Sequence, residues 1–515
     1  MTVRYVLPLF GLLPTTSALA QGAGDMLFDT DQVIEMRFTF AESDYWNQLS
    51  MEHAADNGVS LPADLVITDL SGVYEFDSVA VRLKGNSSFD FYPTSKKPMK
   101  LEFDDFVDGQ EYHGLRNLNL NNCWSDPTFL REKVFMDACR REGVLAPRMN
   151  FANVYLNDIF WGFYGVVEQV DKTFLDRWLG DNDGNLFKAG DNYTPDGGGV
   201  GEEADLNYYG ATEASYTGRY ELKTNETQND WTDLIELLDV IDNSSTNEFV
   251  AQLPERMELS GTLRSLALDN LFGNMDAYYG SSRNYYLYHD STTLKWNWIH
   301  WDANMSFGRY VPQWIDDPAL LPATFVTPGR RMLQRVVTSS VLRGTYLEEF
   351  CAAFEHFTNE DLDPRIDVLQ DLVAPHVNAD FNKEYAAGVF ELNIAQTVTA
   401  QSGQFWNTFP GLKSFITDRR MSLLNSTLDC SSVGLTEMQV DDVLLVAPNP
   451  TRDRVIMSLP NGATPKAVAL FDATGRKTPI EVTGTTVDLS LHPPGVYILV
   501  VDVADGQLRK SIVKE

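Results

Sequence analysis

The stretch 269–308, DNLFGNMDAYYGSSRNYYLYHDSTTLKWNWIHWDANMSFG, decides how the rest of the chain is read. An apolar run at helical spacing ends in an acid, Asp276. A polar loop with Gly280 and Arg283 follows, and Asn284 stands at the mouth of a strand over 285–288. A short Asp/Ser/Thr turn at 290–293 leads into a second strand, 294–301, which delivers Asp302. Aromatic enrichment on both sides of such a turn predicts a β-hairpin. Two carboxylates and an amide carried by one hairpin suit a hard, oxygen-liganded cation. Strand alternation predicts Trp296, Trp298, His300 and Asp302 on one face, with Trp296 about 20 Å from Asp302.

Working outward, residues 230–271 and 332–424 carry apolar stripes at helical spacing, over 234–241, 259–271, 332–342, 346–357, 364–373 and 412–424. The front of the chain is strand-rich instead. Strands are expected at 33–40, 65–70 and 78–83, a short helix at 42–53, and a hairpin of 151–156 with 161–170 turning at Asn157-Asp158. The expected fold class is therefore α+β, with a smaller strand-rich lobe at about 21–180 and a helix-rich lobe at about 205–430. A cleft between such lobes is the default place for a small ligand.

Several polar segments of the front half carry candidate chemistry. RLKGNSS (82–88) runs a strand into a Gly-Asn-Ser turn whose amides and hydroxyls can face an anion, with Lys84 adding charge. The same residues also make ordinary turns. KKPMKLEF (96–103) gives a basic entry to a strand. Lys100 and Glu102 share one face there, and Met99, Leu101 and Phe103 share the other. Asp126-Pro127 reads as a helix start, with the acid as N-cap and the proline at the first helical position. Leu130, Val134, Phe135, Ala138 and Cys139 follow at helical spacing, and Gly143 closes the helix. Near its start Glu132 suits the helix dipole and Arg131 does not, which makes Arg131 a candidate functional cation as well as a salt-bridge partner. Asp181–Asn185 resembles half a calcium loop without the later ligands and is read as a turn. Residues 191–204, rich in Gly and Asp, read as a loop.

The chain of 515 residues carries 73 acidic against 40 basic residues, a formal net charge of −33. Such a balance argues against nucleic acid or an anionic membrane as the main partner. Residues 1–20 have the form of a secretory signal peptide: Arg4, an apolar run at 6–13, and Ala18-Leu19-Ala20 before the cut. No later apolar run is long enough to span a bilayer. Export makes Cys123, Cys139, Cys351 and Cys430 eligible for disulfides in any of three connectivities, or for burial as free thiols. Residues 431–442 read as a linker. From 443 to 515 only short strands separated by turns remain, over 444–446, 454–459, 467–471, 487–491, 495–503 and 508–513, which predicts a small β-sandwich.

Two resemblances attach to these motifs. RLKGNSS, KKPMKLEF, the Leu130-Arg131-Glu132-Lys133 helix, VYLNDIFWGFYGVVEQVD (154–171), NLFKAGD (185–191) and the central hairpin occur in the order of the CotH kinase family, the spore-coat protein H type of atypical protein kinase. This resemblance implies a bilobal kinase-like fold over 21–430, ATP with Mg2+ or Mn2+, and transfer of phosphate to hydroxyl side chains of exported proteins. It implies Asp276 as the catalytic acid that orients or deprotonates the hydroxyl, and Asn284 and Asp302 as metal ligands. It implies Lys97, Lys100, Lys84, Arg131 and Glu168 on the nucleotide, with Trp296 stacking on the base. Asn304 stands where the family's second acid follows the Trp-Asp pair. Residues 443–515, with Pro448-Asn449-Pro450, Leu470-Phe471-Asp472, Gly475, Pro494-Gly495-Val496-Tyr497 and Lys510-Ser511-Ile512-Val513, look like a type IX secretion sorting domain. That resemblance implies passage through the periplasm of a Gram-negative bacterium to the surface or medium, with the secretion machinery as a partner. A kinase-like surface protein without catalysis is the alternative. A hydrolase using Asp276 and Asp302 as an acid/base pair is a third possibility, unsupported by any G-x-S-x-G or H-E-x-x-H motif.

Overall fold

The computed structural model describes residues 22–190, 202–402, 405–426, 428, 430, 444–459, 464–472, 476–503 and 506–515. The signal peptide, the linker and most of the 191–204 loop expected from the sequence lie outside the described residues. The chain divides after Cys430 into two compact units.

The first unit opens with seven strands: β1 (Val33–Thr39), β2 (Leu61–Asp69), β3 (Gly72–Leu83), β4 (Met99–Glu102), β5 (Asn117–Asn121), β6 (Met149–Leu156) and β7 (Ile159–Glu168). They close into a barrel in the order β1-β2-β3-β4-β5-β7-β6. All neighbours are antiparallel except the closing pair, where β1 runs parallel to β6 with Val33 opposite Phe151 and Phe38 opposite Leu156. Alternation dictates the inside: Ile34, Met36 and Phe38 of β1 point into a core shared with Leu65, Val81 and Leu101. The other side of β3, β4 and β5 is polar. Register places Arg82 opposite Lys100, Lys100 opposite Asn119, and Glu102 opposite Asn117. Lys84 continues that row beyond β3, its N–H donating to the Pro98 carbonyl.

A second sheet has the order β11-β10-β8-β9, formed by β8 (Asn185–Ala189), β9 (Tyr220–Leu222), β10 (Tyr285–His289) and β11 (Trp296–His300). The back half is helical, with helices at Thr232–Asn243, Thr246–Arg256, Leu259–Leu271, Arg331–Thr338, Ser340–Glu355, Asn359–Ala379 and Leu412–Leu424, and one hairpin of β12 (Val398–Ser402) with β13 (Phe405–Phe409). One large hydrophobic core joins the halves. It contains Phe151 and Phe163 of the barrel together with Leu263, Leu333 and Leu369 of the helices. Cys351 and Cys430 form a disulfide, while Cys123 and Cys139 are buried free thiols. Among the described residues no helix is long and apolar enough to cross a membrane.

The helix expected from Asp126 begins instead at Arg131. The Asp126 carboxylate accepts from the backbone N–H of Thr128 at 2.9 Å and of Arg131 at 2.9 Å, and Phe129 takes a φ of 59°. The side chain thus closes a turn ahead of the helix rather than capping it, and a left-handed residue breaks the helical path.

Among the described residues the second unit has eight strands in two four-stranded sheets. One has the order β14-β15-β19-β18, from β14 (Leu445–Ala447), β15 (Arg454–Ser458), β18 (Glu481–Thr483) and β19 (Thr486–Asp488). The other has the order β17-β16-β20-β21, from β16 (Ala467–Asp472), β17 (Lys477–Thr478), β20 (Gly495–Val503) and β21 (Gly506–Lys514). Val455 and Val487 of the first sheet share a core with Leu470, Leu499 and Ile512 of the second. The strand expected to reach residue 491 ends at Asp488, whose carboxylate accepts the Ser490 N–H at 2.8 Å and turns the chain.

Candidate functional site

The β10–β11 hairpin pairs Tyr285 with His300, which brings the residues just outside it, Asn284 and Trp301, face to face. The Trp301 N–H donates to the Asn284 carbonyl at 3.2 Å. Asn284 and Asp302 both adopt left-handed backbone, with φ of 62° and 48°, a conformation that Asn and Asp tolerate better than most residues. The Asn284 amide donates to the Asp276 carbonyl at 2.6 Å and to its carboxylate at 3.3 Å. Asp276, Asn284 and Asp302 are therefore gathered at one end of the hairpin. With its nitrogen so engaged, Asn284 offers a ligand its carbonyl oxygen.

Two devices fix the intervening loop. Arg330 donates to the Tyr278 carbonyl at 2.6 Å, to the Gly280 carbonyl and to Glu203. Gly280 packs so closely that a Cβ there would lie 2.0 Å from the Met275 carbonyl oxygen, so only glycine permits this fold of the loop.

Across from Asp302 lies the end of the polar barrel row. Lys84 Nζ donates to Asn119 Oδ1 at 2.9 Å and stands 5.7 Å from the Trp301 ring centroid. Burial pulls its ammonium down to about 8, while the carboxylates of Asp302 and Glu132 oppose that fall. Glu132, in the first turn of the Arg131–Arg141 helix, accepts from Asn121 at 3.0 Å through Oε2, whereas its buried Oε1 has no hydrogen-bond partner. Burial and the neighbouring Asp302 push the Glu132 carboxyl up to about 8, against Asn121 and Lys84. Lys84, Glu132 and Asp302 thus share one electrostatic neighbourhood, supplied by a barrel strand, a helix and the hairpin.

Glu132 was not among the residues the motifs singled out as functional. Its signal was in the sequence: with Phe135 and Cys139 it falls at i, i+3 and i+7, an acid inside an apolar stripe. Lys188 on β8 also acts on the Lys84 charge; it lies within NLFKAGD, a matching segment to which no role was attached.

The remaining candidates are distributed differently. Lys100 stays on the polar row near Lys84, paired with Glu102 at 2.5 Å. Lys97 donates to the Phe89 and Tyr92 carbonyls at 2.5 and 2.8 Å, tying down the turn after Gly85. Arg131, fully buried, bonds Asp126 at 2.7 Å, Thr128, Asn393 and the Pro410 carbonyl. Glu168 is held by Arg148 through three contacts of 2.6 to 3.1 Å, and Arg148 also reaches Asp25. These last two form structural brackets apart from the Lys84 cluster.

Trp296 is packed in the core at the far end of the hairpin. Its ring stacks on His289 with centroids 4.6 Å apart and lies 6.0 Å from Phe187. Trp296 and Trp298, two apart on β11, share the large core as alternation requires. β11 ends at His300 and the backbone at Asp302 is left-handed, so strand alternation no longer fixes the side its carboxylate takes; that carboxylate acts on the charges of Lys84 and Glu132. Asn304 donates from its amide to the Trp124 carbonyl at 3.0 Å.

Among the described residues no group of three or more His, Cys, Asp or Glu side chains stands ready for a metal. The oxygen donors of Asp302 and Asn284, with the unpartnered Glu132 Oε1 nearby, still fit Mg2+ or Mn2+. These ions keep several waters and take substrate phosphate oxygens, rather than needing a full protein cage.

Residues 81–423 match the family model described as CotH kinase protein, and the chain belongs to this family. It is a kinase-like protein by that membership. The inner spore coat protein H of Bacillus subtilis (strain 168) is 26% identical over 279 residues, covering 53% of this chain and 72% of that one. The crystal structure of the Helicobacter pylori proinflammatory kinase CtkA aligns over 66% of this chain and 95% of its own, with 9% identity and a TM-score of 0.27.

Proposed function

We propose that this protein is an exported phosphotransferase that moves phosphate from ATP to hydroxyl side chains of secreted or surface proteins. The observation that carries this reading is the meeting of Lys84, Glu132 and Asp302 beside the bonded pair Asp276–Asn284. Phosphoryl transfer requires little more than positioning and charge stabilisation, and each residue supplies a part of one or the other. Lys84 directs its ammonium at phosphate oxygens. Asn119 holds Lys84 in place, and Glu132 adds its charge from the helix side. Asp302 and Asn284 present oxygens to the divalent ion. Asp276 orients the acceptor hydroxyl and takes its proton. When bound, ATP and its metal supply the transferable phosphate and the positive charge that offsets it.

The test is phosphate transfer from radiolabelled ATP, with Mg2+ and with Mn2+, by purified wild type and Asp302→Asn. Transfer is expected in the wild type and a loss on the order of 100-fold or more in the variant, at unchanged melting temperature. Retained transfer in Asp302→Asn would sink the assignment of Asp302. Nucleotide binding without transfer in the wild type would favour a kinase-like surface protein, in keeping with Asn304 where the family carries an acid.

We read residues 443–515 as a type IX secretion address, supported by the Pro448-Asn449-Pro450 and closing Lys510–Val513 motifs. A reporter joined to residues 431–515 is expected outside the cell in a host with that machinery, and retention in the periplasm would count against the assignment.

A further inference from the structure

We propose that Asp269 is a positioning residue that keeps the loop bearing Asp276 and Asn284 in register with the strand bearing Asp302. The inference rests on the phosphotransferase reading above. Asp269 sits in the last turn of the Leu259–Leu271 helix, 1% exposed. Its carboxylate accepts from the Asn274 side chain at 2.8 Å, and its carbonyl accepts from the Asn274 N–H at 2.8 Å. Asn274 lies two residues before Asp276. On its other side Asp269 Oδ1 is 3.7 Å from His300 Nδ1, and His300 lies two residues before Asp302.

The third catalytic element meets the same point. The His300 ring stands edge-on to Phe135 with centroids 5.1 Å apart, and Phe135 is one helical turn beyond Glu132. Phe135 in turn packs on Phe272, which directly follows the Asp269 helix, at 5.4 Å. The elements that carry Asp276, Asp302 and Glu132 therefore converge on one buried polar group.

That group is unfavourable as packing. Asp269 Oδ2, Asn274 Oδ1 and His300 Nε2 are all buried without hydrogen-bond partners. Burying polar atoms in this way costs stability, and apolar side chains in place of all three would avoid the cost. Such local cost persists where the surrounding structure fixes a functional geometry. The Asp269–Asn274–His300 cluster is separate from the residues that touch phosphate or metal, and its chemistry is that of a strut.

The experiment compares Asp269→Leu and Asp269→Asn in the full chain. Asparagine keeps an acceptor for Asn274, whereas leucine removes it while filling the space. A positioning role predicts that Asp269→Leu lowers kcat of the folded fraction at least 10-fold with KM for ATP within twofold, and that Asp269→Asn recovers kcat to within about threefold of wild type. A purely structural role predicts lowered melting with kcat of the folded fraction unchanged, and that result would overturn the proposal. Amide hydrogen exchange supplies a readout that does not depend on catalysis. Asp269→Leu should speed exchange together at residues 275–284 and 300–302 while residues 263–268 stay protected. Faster exchange in only one segment, or in neither, overturns the inference whatever the kinetics. If the wild type transfers no phosphate yet both segments respond together, the functional reading falls and the strut stands.

Discussion

Lys84 and Glu132 are held near the pH at which both titrate, and this gives the site a pH signature. Lys84 is lowered to about 8, so it is charged below that pH and neutral above it. Glu132 is raised to about 8, so it carries its proton below and is ionised above. The cation available to phosphate is therefore lost as pH rises. The value of kcat/KM for ATP, which reports on the free enzyme, is expected to fall as pH is raised through about 8. In Lys84→Met that limb should vanish along with most of the activity. An alkaline limb unchanged in the variant would remove Lys84 from the phosphate site. Of this cluster, Lys84 was marked in the sequence by the Gly-Asn-Ser turn that follows it, a pattern that can face an anion and also makes ordinary turns. Glu132 was masked by a bland alternative, since an acid in the first turn of a helix is also what the dipole favours.

At the level of elements, the hairpin was the most legible feature because dense aromatic residues around an Asp-Ser-Thr-Thr turn leave few other conformations. Its limit was the strand end. Period-two alternation was carried on to Asp302, but the strand stops at His300 and the backbone at Asp302 is left-handed. The Arg131–Arg141 helix was legible in its apolar stripe but not in its start, because Asp126-Pro127 has the composition of a cap and the behaviour of a separate turn. What holds that start is Arg131, and Arg131→Met leaves Asp126 buried without its cation. Loss of one partner of such a pair costs about 3–5 kcal/mol, measurable by urea unfolding. Were Arg131 instead a phosphate contact, stability would hold and KM for ATP would rise.

In the molecule as a whole, the strand-rich and helix-rich halves were readable from periodicity, but the contacts joining them were not, since they link residues hundreds of positions apart. The clearest is Lys96–Asp380, 2.8 Å long with both side chains fully buried, which ties the segment before β4 to the end of the Asn359–Ala379 helix. In the sequence Lys96 was one of three lysines around a proline, with nothing to mark it as the buried one. Asp380→Asn is expected to destabilise the protein by about 3–5 kcal/mol, and adding Lys96→Met to recover most of that loss, because the amide oxygen at 380 still accepts from the Phe163 N–H. Equal destabilisation in the single and double variants would mean that the pair contributes net stability of its own. The paired Cys351 and Cys430 were likewise unreadable, because four cysteines allow three connectivities and spacing does not choose among them.

The parallel closure of the barrel sets the order in which this chain becomes itself during synthesis. β1 emerges early, yet the residues that complete its second edge, 151–156, are made more than a hundred positions later. Until then the strand has only its β2 neighbour, and its Ile34–Met36–Phe38 face has no enclosed interior to enter. Contacts of such sequence separation form late and slowly. A nascent chain stopped before β6 is therefore an open sheet with a sticky rim, and a chaperone that binds exposed strand edges has its longest opportunity in that interval.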